Sequence, residues 1–271
     1  MDSSTIGAAT ACLQDTTELD FTSQPGIAGL GRLSHEAQHG LYVHPTLVVT
    51  PEGVALGVID AWMWVRQPKG QPDVKESTRW VEGYTIVANL AERTPATRFV
   101  YVADREGDLR ALMDAAAQRA HAADGLVRAQ HRRKTVSGDK LWSRVEKTDP
   151  LGEVEFMLPA APGRAARRVR QTLYRDTVTA ILAREEQPPA GEKPIVWRLL
   201  THRTAETLEA VIELIDWYRR RWLVEVVFDP EEWQATWIVV HRTPPPDTPP
   251  PLGCYGPNGR RFRRLPRTQR R

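Results

Sequence analysis

The chain has 271 residues, 41% of them hydrophobic and 26% charged, with a formal net charge of +3. That is enough to bury a core in one domain with a large insertion, or in two. No run of about 18 apolar residues occurs and no charged segment leads into a hydrophobic one at the amino end, so the sequence predicts no membrane span, no signal peptide and a cytoplasmic protein. Cys12 and Cys254 are too few and too far apart for a disulfide framework or a metal-binding pair. The charge is uneven: residues 255–271 hold seven Arg and no acid, which leaves −4 for the rest. Two basic clusters remain in the body, Arg128, Arg132, Arg133, Lys134, Lys140, Arg144 and Lys147, then Arg164, Arg167, Arg168, Arg170 and Arg175. Such clusters suit phosphate backbones, although a solvated face is the commoner explanation of a charge run.

In chain order, residues 6–13 read as a weakly apolar opening strand that runs at once into Gln14, Asp15, Thr16 and Thr17. A strand ending in a carboxylate presents it at the sheet edge, where α/β proteins hold ligands; a local Asx turn is the competing reading of Asp15. His35, His39 and His44 follow, but Gly40 and the lack of a nearby acidic ligand argue against zinc. Residues 41–50 and 54–66, joined by Pro51, Glu52 and Gly53, predict a hairpin, with Trp62 and Trp64 packing on one face. Residues 75–91 have helical spacing in Trp80, Tyr84 and Val87.

The run FVYVA from Phe99 predicts a buried strand delivering Asp104, with a helix from about 108 to 123 ended by Gly125. Asp104 could equally cap that helix or pair with Arg105. Residues 126–129 begin a further strand. The stretch to 186 holds strand-like pieces between Pro and Gly residues, read as a β-rich insertion bearing both basic clusters. Residues 195–201 return as a strand, and Thr204 is placed to cap a helix with Leu208, Val211, Ile212 and Ile215 inward. Further on, Tyr218, Arg221 and Glu225 stand at i, i+3 and i+7, within about 60° of one helix face.

Four of these stretches, in this order and at similar intervals, resemble one family: LQDTTEL from Leu13, ADREGD from Ala103, PPAGEKPIVWRLLT from Pro188 and YRRRWLVE from Tyr218. They are similar to bacterial DDE transposases of the insertion-sequence-four group, over roughly residues 8–225. The resemblance implies an α/β, RNase H-like mixed sheet with flanking helices and a β-rich insertion. It implies Mg²⁺-dependent phosphodiester hydrolysis and strand transfer at transposon ends, with Mn²⁺ as an alternative ion. Asp15, Asp104 and Glu225 then match the catalytic, metal-binding carboxylates, which suits hard cations that draw one or two oxygens from protein and share the substrate phosphate. Tyr218 and Arg221 match contacts to a phosphate near the cleaved end. Trp197 matches an aromatic that stacks on a flipped base, and Arg128 a DNA-contacting basic residue.

The implied partner is double-stranded DNA at transposon ends, with no membrane; homodimer formation and association with an intact transposase both stay open. The expected organisation is a first core part over 1–124, the insertion over 125–194, a core return with the catalytic helix over 195–228, and a displaced or disordered Pro- and Arg-rich tail over 229–271. Three departures from the family pattern bear on activity: the first Asp stands only at position 15, the position of the family's lysine falls on Glu232, and residues beyond Phe228 resemble a stretch found further along in the family. The sequence therefore reads as a truncated, internally deleted copy with little or no activity. A non-catalytic DNA-binding remnant that inhibits an intact transposase is the alternative.

Overall fold

The computed structural model describes residues 9–24, 26–67, 70, 75–160, 165–176 and 180–227, and of residues 225 and 226 the backbone only. Its strands are β1 (Thr10–Gln14), β2 (Thr17–Asp20), β3 (Gly31–Arg32), β4 (His39–Val49), β5 (Ala55–Trp64), β6 (Phe99–Ala103), β7 (Asp124–Arg128), β8 (Gly152–Leu158), β9 (Arg167–Arg175), β10 (Ala180–Glu185) and β11 (Val196–Thr201). The helices are α1 (Ser77–Arg93), α2 (Arg110–Gln118), α3 (Leu141–Val145), α4 (Leu208–Arg220) and α5 (Leu223–Val227), with a 3-10 turn at Arg105–Gly107.

All the strands belong to one sheet in the order β2-β4-β1-β6-β7-β11-β10-β9-β8, with β3 and β5 also pairing to β4. β1 runs antiparallel to β4 and parallel to β6, and β6 runs parallel to β7. The fold is therefore α/β, with the mixed, RNase H-like sheet and flanking helices that the motifs implied. β6 is apolar throughout because both of its faces are covered. Phe99, Tyr101 and Ala103 pack with α1 and α2, while Val100 and Val102 pack with α4. β1 alternates in step, Cys12 toward α1 and Ala11 and Leu13 toward α4.

Several local expectations change. The helix after Asp104 starts at Arg110 and stops at Gln118, because Ala120 and His121 take left-handed φ values of 48° and 55°. Gly125 does not end it but lies within β7. Thr207, not Thr204, caps α4, its hydroxyl accepting from the Ala210 amide at 3.3 Å. The boundary at 125 falls inside β7, which pairs with β6, and β8–β10 extend the same sheet through β11. The stretch read as an insertion is thus continuous with the core sheet. The second basic cluster is largely neutralised there: Arg168 and Arg170 face Glu155 and Glu153 across β8 and β9, and Arg167 pairs with Glu185 and Glu192. The tail over 229–271 and Glu232 lie outside the described residues.

Candidate active site

Parity along the strands decides which side chains meet. Gln14 of β1 and Ala103 of β6 are register partners on neighbouring parallel strands. The residues that follow them, Asp15 and Asp104, therefore leave the sheet side by side at its carboxyl edge. Side chains alternate along a strand, so Leu13 and Val102 on the α4 face put Asp15 and Asp104 on that face too. In β7 the same rule sends Leu126 and Arg128 toward α4 and Val127 toward α1.

The end of α4 supplies the other half of the cluster. Arg221, only 5% exposed, ion-pairs through one terminal nitrogen with Asp15 Oδ2, and its other terminal nitrogen lies 4.0 Å from Asp104 Oδ2. The Tyr218 hydroxyl donates to Asp104 Oδ1 at 3.0 Å. Arg128 donates to the Tyr218 oxygen at 3.3 Å and stands 3.6 Å from Asp104 Oδ1. Burial, then the charge of Asp104, raises the Tyr218 phenol far above its usual range, so it stays a neutral donor.

Asp104 caps nothing with its side chain. Asp15 Oδ1 accepts the Thr16 amide at 2.9 Å, the local contact that its sequence allowed. The Thr16 hydroxyl in turn meets His44 Nδ1 at 2.8 Å. His44 is buried and stands edge-on to Trp80 at 4.5 Å. Burial, then Arg79, lowers its pKa to about 3, which keeps the imidazole neutral behind Asp15. In the sequence His44 is one of three spaced histidines with nothing local to link it to Asp15; the pairing of β4 with β1 brings it there.

Of the residues singled out from sequence, Asp15, Asp104, Tyr218, Arg221 and Arg128 converge. Trp197, matched by the resemblance to a base-stacking aromatic, lies beneath them. It is 4% exposed, stacked on Phe156 with centroids 5.3 Å apart, and edge-on to Tyr218 at 5.4 Å. Its ring is covered by protein and backs Tyr218, so neither face is open in this structure. The predicted single helix from Tyr218 to Glu225 is broken at Arg221 and Trp222, and Glu225 belongs by its backbone to α5, about one turn past Arg221. The Glu225 side chain lies outside the described residues. Among the described residues no group of three His, Cys, Asp or Glu side chains forms a metal site. Asp15 and Asp104 nonetheless supply two adjoining carboxylates, the hard oxygen donors and the number that Mg²⁺ takes from protein.

No helix among the described residues is long and apolar enough to cross a membrane. No protein-family model matches the chain. Among solved structures it is similar to a piggyBac transposase synaptic complex with hairpin DNA, at a TM-score of 0.42 and 10% identity over 82% of this chain and 40% of that one. It is also similar to A. aeolicus Argonaute, at 0.35 and 8%, over 76% of this chain and 24% of that one. The chain thus spans less than half the length of either protein.

Proposed function

We propose that the chain is the nuclease core of a DNA transposase of the DDE kind, with Asp15, Asp104 and Glu225 as the ligands of Mg²⁺ or Mn²⁺ and DNA ends as the substrate. The observation that supports this reading is the side-by-side exit of Asp15 and Asp104 from adjacent parallel strands onto the face that carries Tyr218, Arg221 and Arg128. A bound ion would supply Lewis acidity, activating the attacking oxygen and offsetting the negative charge on the phosphate oxygens. The residues of the chain do the remainder. Arg221 and Arg128 are cations beside the acids, able to turn to a phosphate once a divalent ion compensates Asp15 and Asp104. Tyr218, kept protonated, donates a hydrogen bond, and Thr16 with His44 holds the Asp15 carboxylate in place.

The reading includes a decayed copy with low activity, since Glu232 stands where the family carries a lysine. The alternative, a DNA-binding remnant without catalysis, is favoured by one observation: Arg221 and Arg128 already compensate the two acids. Nicking of supercoiled plasmid in Mg²⁺ or Mn²⁺ separates the two. Slow, metal-dependent nicking that disappears in Asp104→Asn supports the nuclease, and nicking unchanged in that variant contradicts it. DNA binding with no nicking under any metal leaves the remnant reading.

A further inference from the structure

A second feature stands at the same edge of the sheet and takes no part in the acid cluster. Beyond the 3-10 turn after Asp104, Asp108 is fully buried. Its Oδ2 accepts the backbone amides of Gln130 and His131 at 2.8 and 2.9 Å, and its Oδ1 pairs with Arg133. Burial raises the Asp108 carboxyl, but the His131, Arg133 and Gln130 donors outweigh it and hold the group below its usual range. Asp108 therefore anchors the loop that leaves β7. That loop closes on itself through a bridge between Lys134 and Lys140 and a turn in which the Thr135 amide donates to the Asp139 carbonyl. The outcome is a cleft of about 440 Å³ lined by Leu109, Arg110, His131, Arg132, Arg133 and Lys134 above Asp108.

The cleft has more positive charge than its partners consume. Arg110 pairs with Asp114 and Arg133 with Asp108, whereas Arg132 and Lys134 make no ion pair among the described residues. The Arg133 Nε is buried without a hydrogen-bond partner. The amino end of α2 opens beside Arg110 with no capping side chain and no acid in its first turn, which adds backbone donors of the same sign. From this geometry we infer that the cleft binds a backbone phosphate of a nucleic acid strand, through Arg132 and Lys134 and the open end of α2, apart from the Asp15 and Asp104 cluster. Because β6 and β7 are parallel, both deliver their following loops to one edge, so a strand held here continues toward the acids. Only that last step rests on the proposed function; the phosphate contact does not.

The test uses the full chain and a short DNA duplex in EDTA, so that it reads binding without chemistry. The double variant Arg132→Gln and Lys134→Gln is compared with wild type and with Arg168→Gln and Arg170→Gln, a pair of arginines already matched by glutamates on β8. All four positions are exposed, so folding is not at stake. The expected result is an affinity about tenfold lower near 0.1 M salt, with a salt-dependence slope smaller by about one per lost phosphate contact, in the cleft variant alone. An unchanged affinity and slope, an equal fall in both double variants, or a chain that binds no duplex overturns the inference. Binding that behaves as expected in a chain that never nicks DNA overturns only the catalytic reading.

Discussion

Arg221 and Asp15, 206 positions apart in sequence, form an ion pair in which the arginine side chain is 7% exposed and the carboxylate 18%. The pair fastens the end of α4 to the end of β1, and through the 4.0 Å approach to Asp104 it also reaches β6. A guanidinium is planar and permanently charged, which suits it to bridging two carboxylates.

Replacing Arg221 by Gln removes that bridge and leaves Asp15 without its cation and Asp104 with Arg128 alone. Breaking one partner from a buried pair typically loses about 3 kcal/mol. Urea unfolding at neutral pH should show a loss of that order, and Mg²⁺ should restore more stability to the variant than it adds to wild type. A variant as stable as wild type would mean that the pair does not hold α4 to the sheet.

Gly83 of α1 lies directly against Gln14. A Cβ built there would stand 1.8 Å from Gln14 Nε2, and Gln14 is fully buried, donating to Thr46 at 3.2 Å and accepting from Tyr101. Gly83→Ala therefore forces the helix off the strand or breaks the Gln14 hydrogen bonds, at about 1–3 kcal/mol for overpacking. Thermal unfolding checks it. Gly138, with nothing within 4 Å of an added Cβ but a φ of 89°, is the comparison: its alanine variant should lose about 1 kcal/mol through backbone strain alone.

His44 makes stability depend on pH in a stated direction. Its folded pKa is lowered to about 3 by burial, against an unfolded value near 6.5. Above about pH 6.5 both states are neutral and the full stability is present. As pH falls toward 3 the unfolded chain takes up a proton that the folded one refuses, so stability is lost at up to about 1.4 kcal/mol per pH unit. Denaturant unfolding at pH 7.5 and 5 should show a loss of about 2 kcal/mol from this group. His44→Gln should flatten the dependence by that amount, leaving the contribution of His202, whose pKa burial also lowers.

The parts of this arrangement legible in the sequence are those with strong local causes. FVYVA followed by Asp104 announces a doubly covered strand and its terminal acid, and β4 and β5 follow from two apolar runs around Gly53. Asp15 stands at the end of a weaker run, and the spacing of Tyr218 and Arg221 puts both on one helix face. The misses have nonlocal or small causes. Nothing local says that β11 pairs with β7 and so joins β8–β10 to the core sheet. α3 is five residues long with no side-chain cap, too short to show a period. Trp197 alternates on a strand in a way that fits a core position and an exposed platform alike; Phe156, 41 positions earlier, decides it. Asp108 reads locally as the first residue of a helix, and only the folded loop after β7 makes it an anchor.

Asp15 and Asp104, if they form one metal site, should grip a divalent cation together. Counting bound Mn²⁺ by electron paramagnetic resonance on wild type, Asp15→Asn and Asp104→Asn tests it without relying on turnover, given that each variant still unfolds cooperatively. Loss of one carboxylate from a shared site should weaken binding at least about tenfold, as loss of a ligand's supporting partner already does in metal sites. Wild type should bind Mn²⁺ and both variants should bind it at least about tenfold more weakly; the same Mn²⁺ affinity in all three proteins would show that the two carboxylates do not share an ion.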